Sequence, residues 1–77
     1  MDLMHAKAEF EAGRLVEAAA EPSEQGNGWR LVLHTKSGGT AVLTDHVGQE
    51  RLYLSLDHAT EVSRDIGFNS VRIEENF

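Results

Sequence analysis

The chain has 77 residues, contains no cysteine and carries a formal net charge of −6, from seven Lys and Arg against thirteen Asp and Glu. This length supports one small domain, the lack of thiols excludes disulfides and cysteine metal sites, and the negative charge repels the phosphate backbone of nucleic acids. No apolar run approaches the roughly 20 residues of a membrane-spanning helix. We therefore expect a single domain over residues 1–77 in a soluble, cytoplasmic protein that does not associate with membranes.

The first segment predicts a helix from Asp2 to Ala12. Leu3, Ala6 and Phe10 recur at helical spacing, and most residues around them favour helices. Asp2 has the side chain of a helix N-cap. The segment therefore begins the chain with an amphipathic helix.

The sequence of residues 14–20 is compatible with either a strand or a helix. The three alanines at positions 18–20 favour a helix, which would run through Gly13 at a cost of about 1 kcal/mol. Gly13 falls where the apolar face of Phe10 would otherwise continue, and a glycine there can end a helix. We predict a strand from Leu15 to Ala20 and retain the longer helix as the alternative.

A hairpin is the clearest β feature of the sequence. Residues 21–28 form a polar loop with the only proline, and Trp29–Thr35 then alternates apolar and polar side chains. Lys36–Gly39 supplies a tight turn, and Thr40–Thr44 returns as the second arm. The connection 45–50 leads to a third strand over Arg51–Leu54, so three strands form a meander.

The second helix carries a signal at each end. Ser55 can accept a hydrogen bond from the first turn, and Asp57 places negative charge at the positive end of the helix dipole. Gly67 can adopt the left-handed conformation that ends a helix, and Phe68 then returns to its last turn. A final strand is predicted over Val71–Glu74. The helix face expected to be buried consists of Leu56, Ala59, Val62 and Ile66.

The predicted order is α-β-β-β-β-α-β. It gives a small two-layer α+β domain, with an antiparallel meander of three to five strands packed against two helices. The aliphatic side chains expected to form its core are Leu31, Leu33, Leu43, Leu52, Leu54, Val71 and Ile73.

No group of residues predicts a reaction. The histidines at positions 5, 34, 46 and 58 include no pair at metal-binding helical spacing, and the doublets at 45–46 and 57–58 are weak signals. Gly38 and Gly39 lack the following helix that holds a phosphate. We predict no catalytic residue, no metal site and no cofactor, and hence a protein that is not an enzyme.

One face of the predicted sheet is a candidate contact surface. Arg30 and His34 share a face of their strand, and Arg51 and Tyr53 could lie on that face across the meander. Residues 29–54, with three basic and two acidic groups, are the third of the chain without an acidic excess. Such a face could contact DNA or an acidic protein patch, although the net charge disfavours DNA and antiparallel sheets commonly leave one face to solvent.

Several short segments together carry a family resemblance: Ala8–Leu15, Gly28–Leu31, Gly39, Leu43–Thr44, Gly48 with Arg51, Ser55–Asp57 and Ile66–Phe68. They resemble the small partition-associated ParC family, encoded on plasmids and integrative conjugative elements of Proteobacteria. The resemblance covers nearly the whole chain and departs at Val47, where a basic residue is expected. It implies a strand after Gly13 and a role in plasmid maintenance or transfer, without catalytic residues.

These observations lead to one leading functional hypothesis. We expect a non-enzymatic accessory protein of a mobile genetic element, acting through protein partners in partition or stability. Direct DNA binding by the exposed sheet face is the alternative. An exposed sheet edge could also pair with another copy, so we expect a monomer or a weak homodimer.

Overall fold

A computed structural model describes residues 1–24 and 28–74. Two helices pack against a four-stranded sheet, which confirms the predicted small α+β domain. The elements follow one another as α1 (Leu3–Glu11), β1 (Leu15–Pro22), β2 (Trp29–Thr35), β3 (Thr40–Val42), α2 (Leu56–Ile66) and β4 (Arg72–Ile73).

Helix α1 is short because both of its ends are specified locally. The Asp2 carboxylate accepts a hydrogen bond from the backbone N–H of His5 at 2.8 Å. At the other end Gly13 has a φ of +76°, and its N–H donates to the Phe10 carbonyl oxygen at 3.0 Å. Glycine adopts this left-handed conformation without a steric penalty. The chain therefore leaves the helix at Gly13, and the predicted strand after it is confirmed.

Strand β1 buries its alanines on both faces of the sheet. Ala18 and Ala20 lie opposite Leu33 and Leu31 of β2 and belong to the main core. Because these side chains are small, α1 can approach the sheet closely enough to bury Ala6 completely. The strand also includes residues 21–22, so the predicted polar loop begins two residues later than expected. Residues 25–27 of that loop lie outside the described residues.

The sheet has the strand order β3-β2-β1-β4 and is mixed. The predicted hairpin of β2 and β3 is confirmed, with Val32 opposite Val42. Strand β4 instead runs parallel to β1, with Arg72 beside Ala19, so the purely antiparallel meander was wrong. The reason is that α2 carries the chain from the β3 side of the sheet to its far edge, where the chain enters in the direction of β1.

Arg51–Leu54 does not form the predicted third meander strand. Residues 44–50 leave the ladder after β3, and Tyr53 then takes the place beside Trp29 that β3 would have occupied. The two residues exchange both backbone hydrogen bonds, at 2.7 and 2.8 Å, but form only an isolated bridge. Residues 51–53 are therefore an extended edge piece in line with β3, and the chain bends at Leu54 and Ser55 into α2.

Helix α2 has the predicted ends and the predicted buried face. Ser55 Oγ accepts a hydrogen bond from the backbone N–H of His58 at 3.1 Å. After Gly67, the Phe68 N–H donates to the Ser63 carbonyl oxygen at 3.1 Å, and the Phe68 ring packs into the core. The buried core is formed by Ala6, Leu15, Ala18, Ala20, Leu31, Leu33, Leu43, Tyr53, Ala59, Val62, Ile66 and Phe68.

Three of the seven aliphatic residues predicted for the core are exposed. Leu52 and Leu54 are 42% and 86% exposed, because Tyr53 between them points inward. Ile73 is 46% exposed, since β4 is a two-residue edge strand. Val71 is half-buried against the core, and Leu31, Leu33 and Leu43 are fully buried as expected.

Candidate functional site

The four residues predicted to share a contact face lie on two different faces of the sheet. Arg30 and His34 alternate with the core residues of β2 and project from the face opposite the helices, which we call the open face. Tyr53 pairs directly with Trp29 and points into the core, where it is 1% exposed. Arg51 lies on the Tyr53 side, with its guanidinium carbon 5.6 Å from the centre of the tyrosine ring.

Arg30 is held between two carboxylates on the open face. Its guanidinium donates to Glu21 at 3.1 Å and to Glu50 at 3.4 Å. The side chains are only 26%, 24% and 13% exposed, respectively. The hydrogen bond to Glu21, followed by that to Glu50, raises the pKa of Arg30 above its ordinary value. Arg30 is therefore bound by its own chain and is not free to contact a partner.

Arg72 repeats this arrangement at the far edge of the open face. Its guanidinium pairs with Glu17 at 3.3 Å and also with Glu74. Together the two arginines are matched by four glutamates. The two ion-pair groups therefore give the open face an excess of negative charge, which opposes contact with DNA phosphates.

His34 lies on the open face between Glu17 of β1 and Thr40 of β3. Its Nε2 atom is buried and has no hydrogen-bond partner among the described residues. The side chain as a whole is partly buried, so the open face presents only part of the imidazole to a partner.

Tyr53 joins the edge of the sheet to α2. Its ring meets the His58 ring edge-on, with 5.1 Å between their centres. The Tyr53 hydroxyl is buried and has no hydrogen-bond partner within residues 1–24 and 28–74. Burial raises the pKa of this phenol, because it disfavours the charged phenolate. Tyr53 is therefore a core residue, and its side chain has no accessible surface for the predicted contact with a partner.

Arg51–Leu54, which we call the edge segment, combines exposed apolar side chains with an exposed backbone. The N–H and C=O of Tyr53 both point towards Trp29, so those of Leu52 and the N–H of Leu54 point away from the sheet. Within the described chain, neither leucine has a backbone hydrogen bond. An edge of this kind can pair with another strand.

Arg51 adds positive charge beside this edge. It lines an open depression between the start of α1 and the loop after β3, together with Asp2, Thr44 and Asp45. Unlike Arg30 and Arg72, it forms no ion pair with any described residue. Of the four predicted contact residues, Arg51 is the one whose charge remains available.

The sequence predicts Arg51 and Tyr53 as contact residues and places Leu52 and Leu54 in the core, so it does not identify the leucines as a surface. Alternation alone allows either face to be buried, since one face carries two leucines and the other an arginine and a tyrosine. One signal in the sequence pointed to the exposed leucines. A long polar loop separates Leu43 from Leu52, and such a loop allows the segment to leave the meander.

Comparison with known proteins identifies no relative. No family model, no curated protein and no solved structure matches the chain.

Two further features concern metals and membranes. In the described part of the chain, no three His, Asp or Glu side chains are grouped so that they could hold a metal ion. Neither described helix has the length and apolar character needed to cross a membrane.

Proposed function

We propose that this protein is a non-enzymatic accessory protein that acts in the cytoplasm through protein contacts, with the edge segment as its contact surface. Its setting is the maintenance of a plasmid or integrative element, as the resemblance to partition-associated proteins implies. The contact is made by pairing an extended backbone with the edge and by covering its two leucines.

The observation that carries the proposal is the exposure of Leu52 and Leu54 on an edge whose backbone groups are unpaired within the described chain. Strand addition at such an edge supplies affinity through main-chain hydrogen bonds and selectivity through alternate side chains. Covering the leucines removes apolar surface from water, which favours association by about 25 cal/mol per Å². Both contributions come from three consecutive residues.

The distribution of charge distinguishes a protein partner from DNA. The open face, which carries two of the chain's arginines, has twice as many glutamates paired with them. The edge segment has a cation, Arg51, without a carboxylate partner among the described residues. The excess of negative charge on the open face, and the net charge of −6, favour a protein partner over a nucleic acid.

The experiment that tests the proposal is retention of the genetic element that carries the coding sequence. We expect Leu54→Lys to raise the loss of that element per generation without selection, as deletion of the coding sequence does. Val16→Lys is the matched control, because Val16 is 60% exposed but lies at the start of β1, at the opposite end of the strands from Tyr53. Unchanged retention on deletion, or a coding sequence located outside any mobile element, would overturn the proposal.

A further inference from the structure

We infer that the edge segment pairs with the same segment of a second copy, antiparallel and related by a two-fold axis at Tyr53. This inference rests on the proposed function, because it names a partner for the same edge segment. The two sheets then join into one continuous sheet across the dimer.

Backbone geometry fixes the register of this pairing. Because Tyr53 directs both of its backbone groups to Trp29, the residues that can pair outward are Leu52 and Leu54. In an antiparallel arrangement Leu52 lies opposite Leu54 of the second copy, and Leu54 lies opposite Leu52. In each pair the N–H of Leu54 donates to the carbonyl oxygen of Leu52 of the other copy, so the contact forms two hydrogen bonds.

The side chains are complementary in the same register. Leucine meets leucine at both hydrogen-bonded pairs, which covers side chains that are 42% and 86% exposed in one chain. Arg51 lies at the end of the pairing where the second copy's chain bends at Leu54 and Ser55 into the first turn of α2. Asp57 is exposed in that turn and forms no ion pair among the described residues, so opposite charges approach twice.

These side-chain matches are the reason for assigning a second copy and not an unrelated strand. Any extended chain could form these backbone bonds. The side chains of the edge segment fit a partner strand that has two alternate apolar residues and a carboxylate beyond one end. The edge segment of a second copy, followed by the start of α2, has this pattern. The contact is small compared with stable interfaces of about 1,200 to 2,000 Å², so the dimer is weak and reversible.

Disulfide trapping tests the register, since the chain has no cysteine of its own. One preparation carries Leu52→Cys and the other, distinguishable by size, carries Leu54→Cys. Opposed residues in such a pair have Cα atoms about 5.5 Å apart, within reach of a disulfide. Two Leu54 positions related by the axis are offset by two residues and lie beyond the limit of about 7 Å.

We expect the mixture of the two preparations to form the mixed disulfide in preference to either symmetric one. Symmetric disulfides that form as readily as the mixed one would overturn the register, and so would the absence of any disulfide at concentrations where the protein dimerises.

Sedimentation across micromolar to millimolar concentrations tests the dimer itself. We expect the average mass to rise towards that of a dimer, and Leu54→Pro to shift the dissociation constant upward at least tenfold. Proline removes an N–H that faces outward, so it costs the monomer no hydrogen bond, and circular dichroism checks that the fold is retained. Val16→Lys is again the control and is expected to dimerise like the parent.

The outcomes separate this inference from the proposed function. If the protein stays monomeric at every concentration while Leu54→Lys still lowers element retention, the pairing with a second copy is overturned. The edge segment then contacts a different protein. A protein that dimerises in the expected register, while Leu54→Lys leaves retention unchanged, supports the pairing and overturns the proposed function.

Discussion

Phe10 lies over Gly67 so closely that a Cβ atom on Gly67 would sit 2.5 Å from the Cδ1 atom of the Phe10 ring. Gly67 also has a φ of +136°, which side chains rarely permit. The same phenylalanine ring packs edge-on against Phe68, with 4.8 Å between ring centres. The end of α2 and the end of α1 are therefore joined at one point, where the fold requires a residue without a side chain.

Gly67→Ala is expected to lower the free energy of unfolding by about 2 to 4 kcal/mol, from backbone strain together with the clash against Phe10. Gly13→Ala is the matched control. Gly13 has a φ of +76° but nothing within 4 Å of its added Cβ, so it should lose only about 1 kcal/mol from strain. Urea denaturation measures both. Equal losses for the two variants would show that contact with Phe10 contributes nothing.

Tyr53→Phe is expected to leave the protein as stable or to raise its free energy of unfolding by about 1 kcal/mol. The reason is that the buried hydroxyl has no hydrogen-bond partner among the described residues, so its removal ends a desolvation cost. Thermal unfolding of the two proteins measures the difference. A loss above 1 kcal/mol would mean that the hydroxyl is hydrogen-bonded in solution.

The single tyrosine also reports its own ionisation. Because burial raises the pKa of Tyr53 above its usual 10.0, the folded state keeps the proton longer than the unfolded state. The resulting stability is complete below pH 10.0 and is lost as the pH rises through the folded pKa. We expect tyrosinate absorbance to appear only above pH 10.0, together with unfolding. Ionisation at or below that pH in the folded protein would contradict burial.

Local signals were sufficient for the helices and the hairpin. Ser55 and Gly67 specify the ends of α2 within a few residues of themselves, and the glycine-rich turn places β2 beside β3. These features depend on neighbours in sequence. They could therefore be predicted without knowing the rest of the fold.

The edge segment and β4 could not be predicted in the same way. Whether Tyr53 or Leu54 faces the core is decided by pairing with Trp29, which is far away in sequence. The direction of β4 depends on the sheet edge at which α2 ends. The two residues Arg72 and Ile73 do not themselves indicate whether the strand pairs in a parallel or an antiparallel direction. The contact face failed for the same reason, since Arg30 and Arg51 were assigned to one face through a meander that does not form.

Arg30→Leu is expected to lower the free energy of unfolding by about 1 to 3 kcal/mol, because it leaves two half-buried carboxylates, Glu21 and Glu50, without their cation. Adding Glu21→Gln and Glu50→Gln to this variant should recover most of the loss. Arg14→Leu is the control, since Arg14 is 64% exposed in its ion pair with Glu9 and pairs with an exposed member contribute less than about 1 kcal/mol. Chemical denaturation of the four proteins decides whether the network is structural.

Duplex DNA is expected not to bind at low salt, and Arg30→Leu should not change this result. The open face has four glutamates around its two arginines, so phosphates meet more negative than positive charge. Fluorescence anisotropy over a salt series is the measurement. Binding that weakens steeply with salt, and less steeply after Arg30→Leu, would restore the DNA-binding hypothesis.

Asp45 is expected to make the loop after β3 sensitive to acid. Its Oδ1 atom accepts hydrogen bonds from the N–H groups of Gln49 and Val47, both at 3.0 Å. The bond from Gln49, followed by that from Val47, holds the pKa of Asp45 below its ordinary 3.8. A carboxyl with a lowered folded pKa stabilises the fold fully above pH 3.8, and this stabilisation is lost as the pH falls through the folded value.

Asp45→Asn keeps an acceptor oxygen but removes this charge. We expect the stability advantage of the parent over Asp45→Asn to be constant at neutral pH and to shrink as the pH falls below 3.8. Denaturation at several pH values measures the advantage, and carbon NMR of the Asp45 carboxyl measures its titration directly. An Asp45 carboxyl that titrates at or above 3.8 would show that the two N–H groups do not hold its charge in solution.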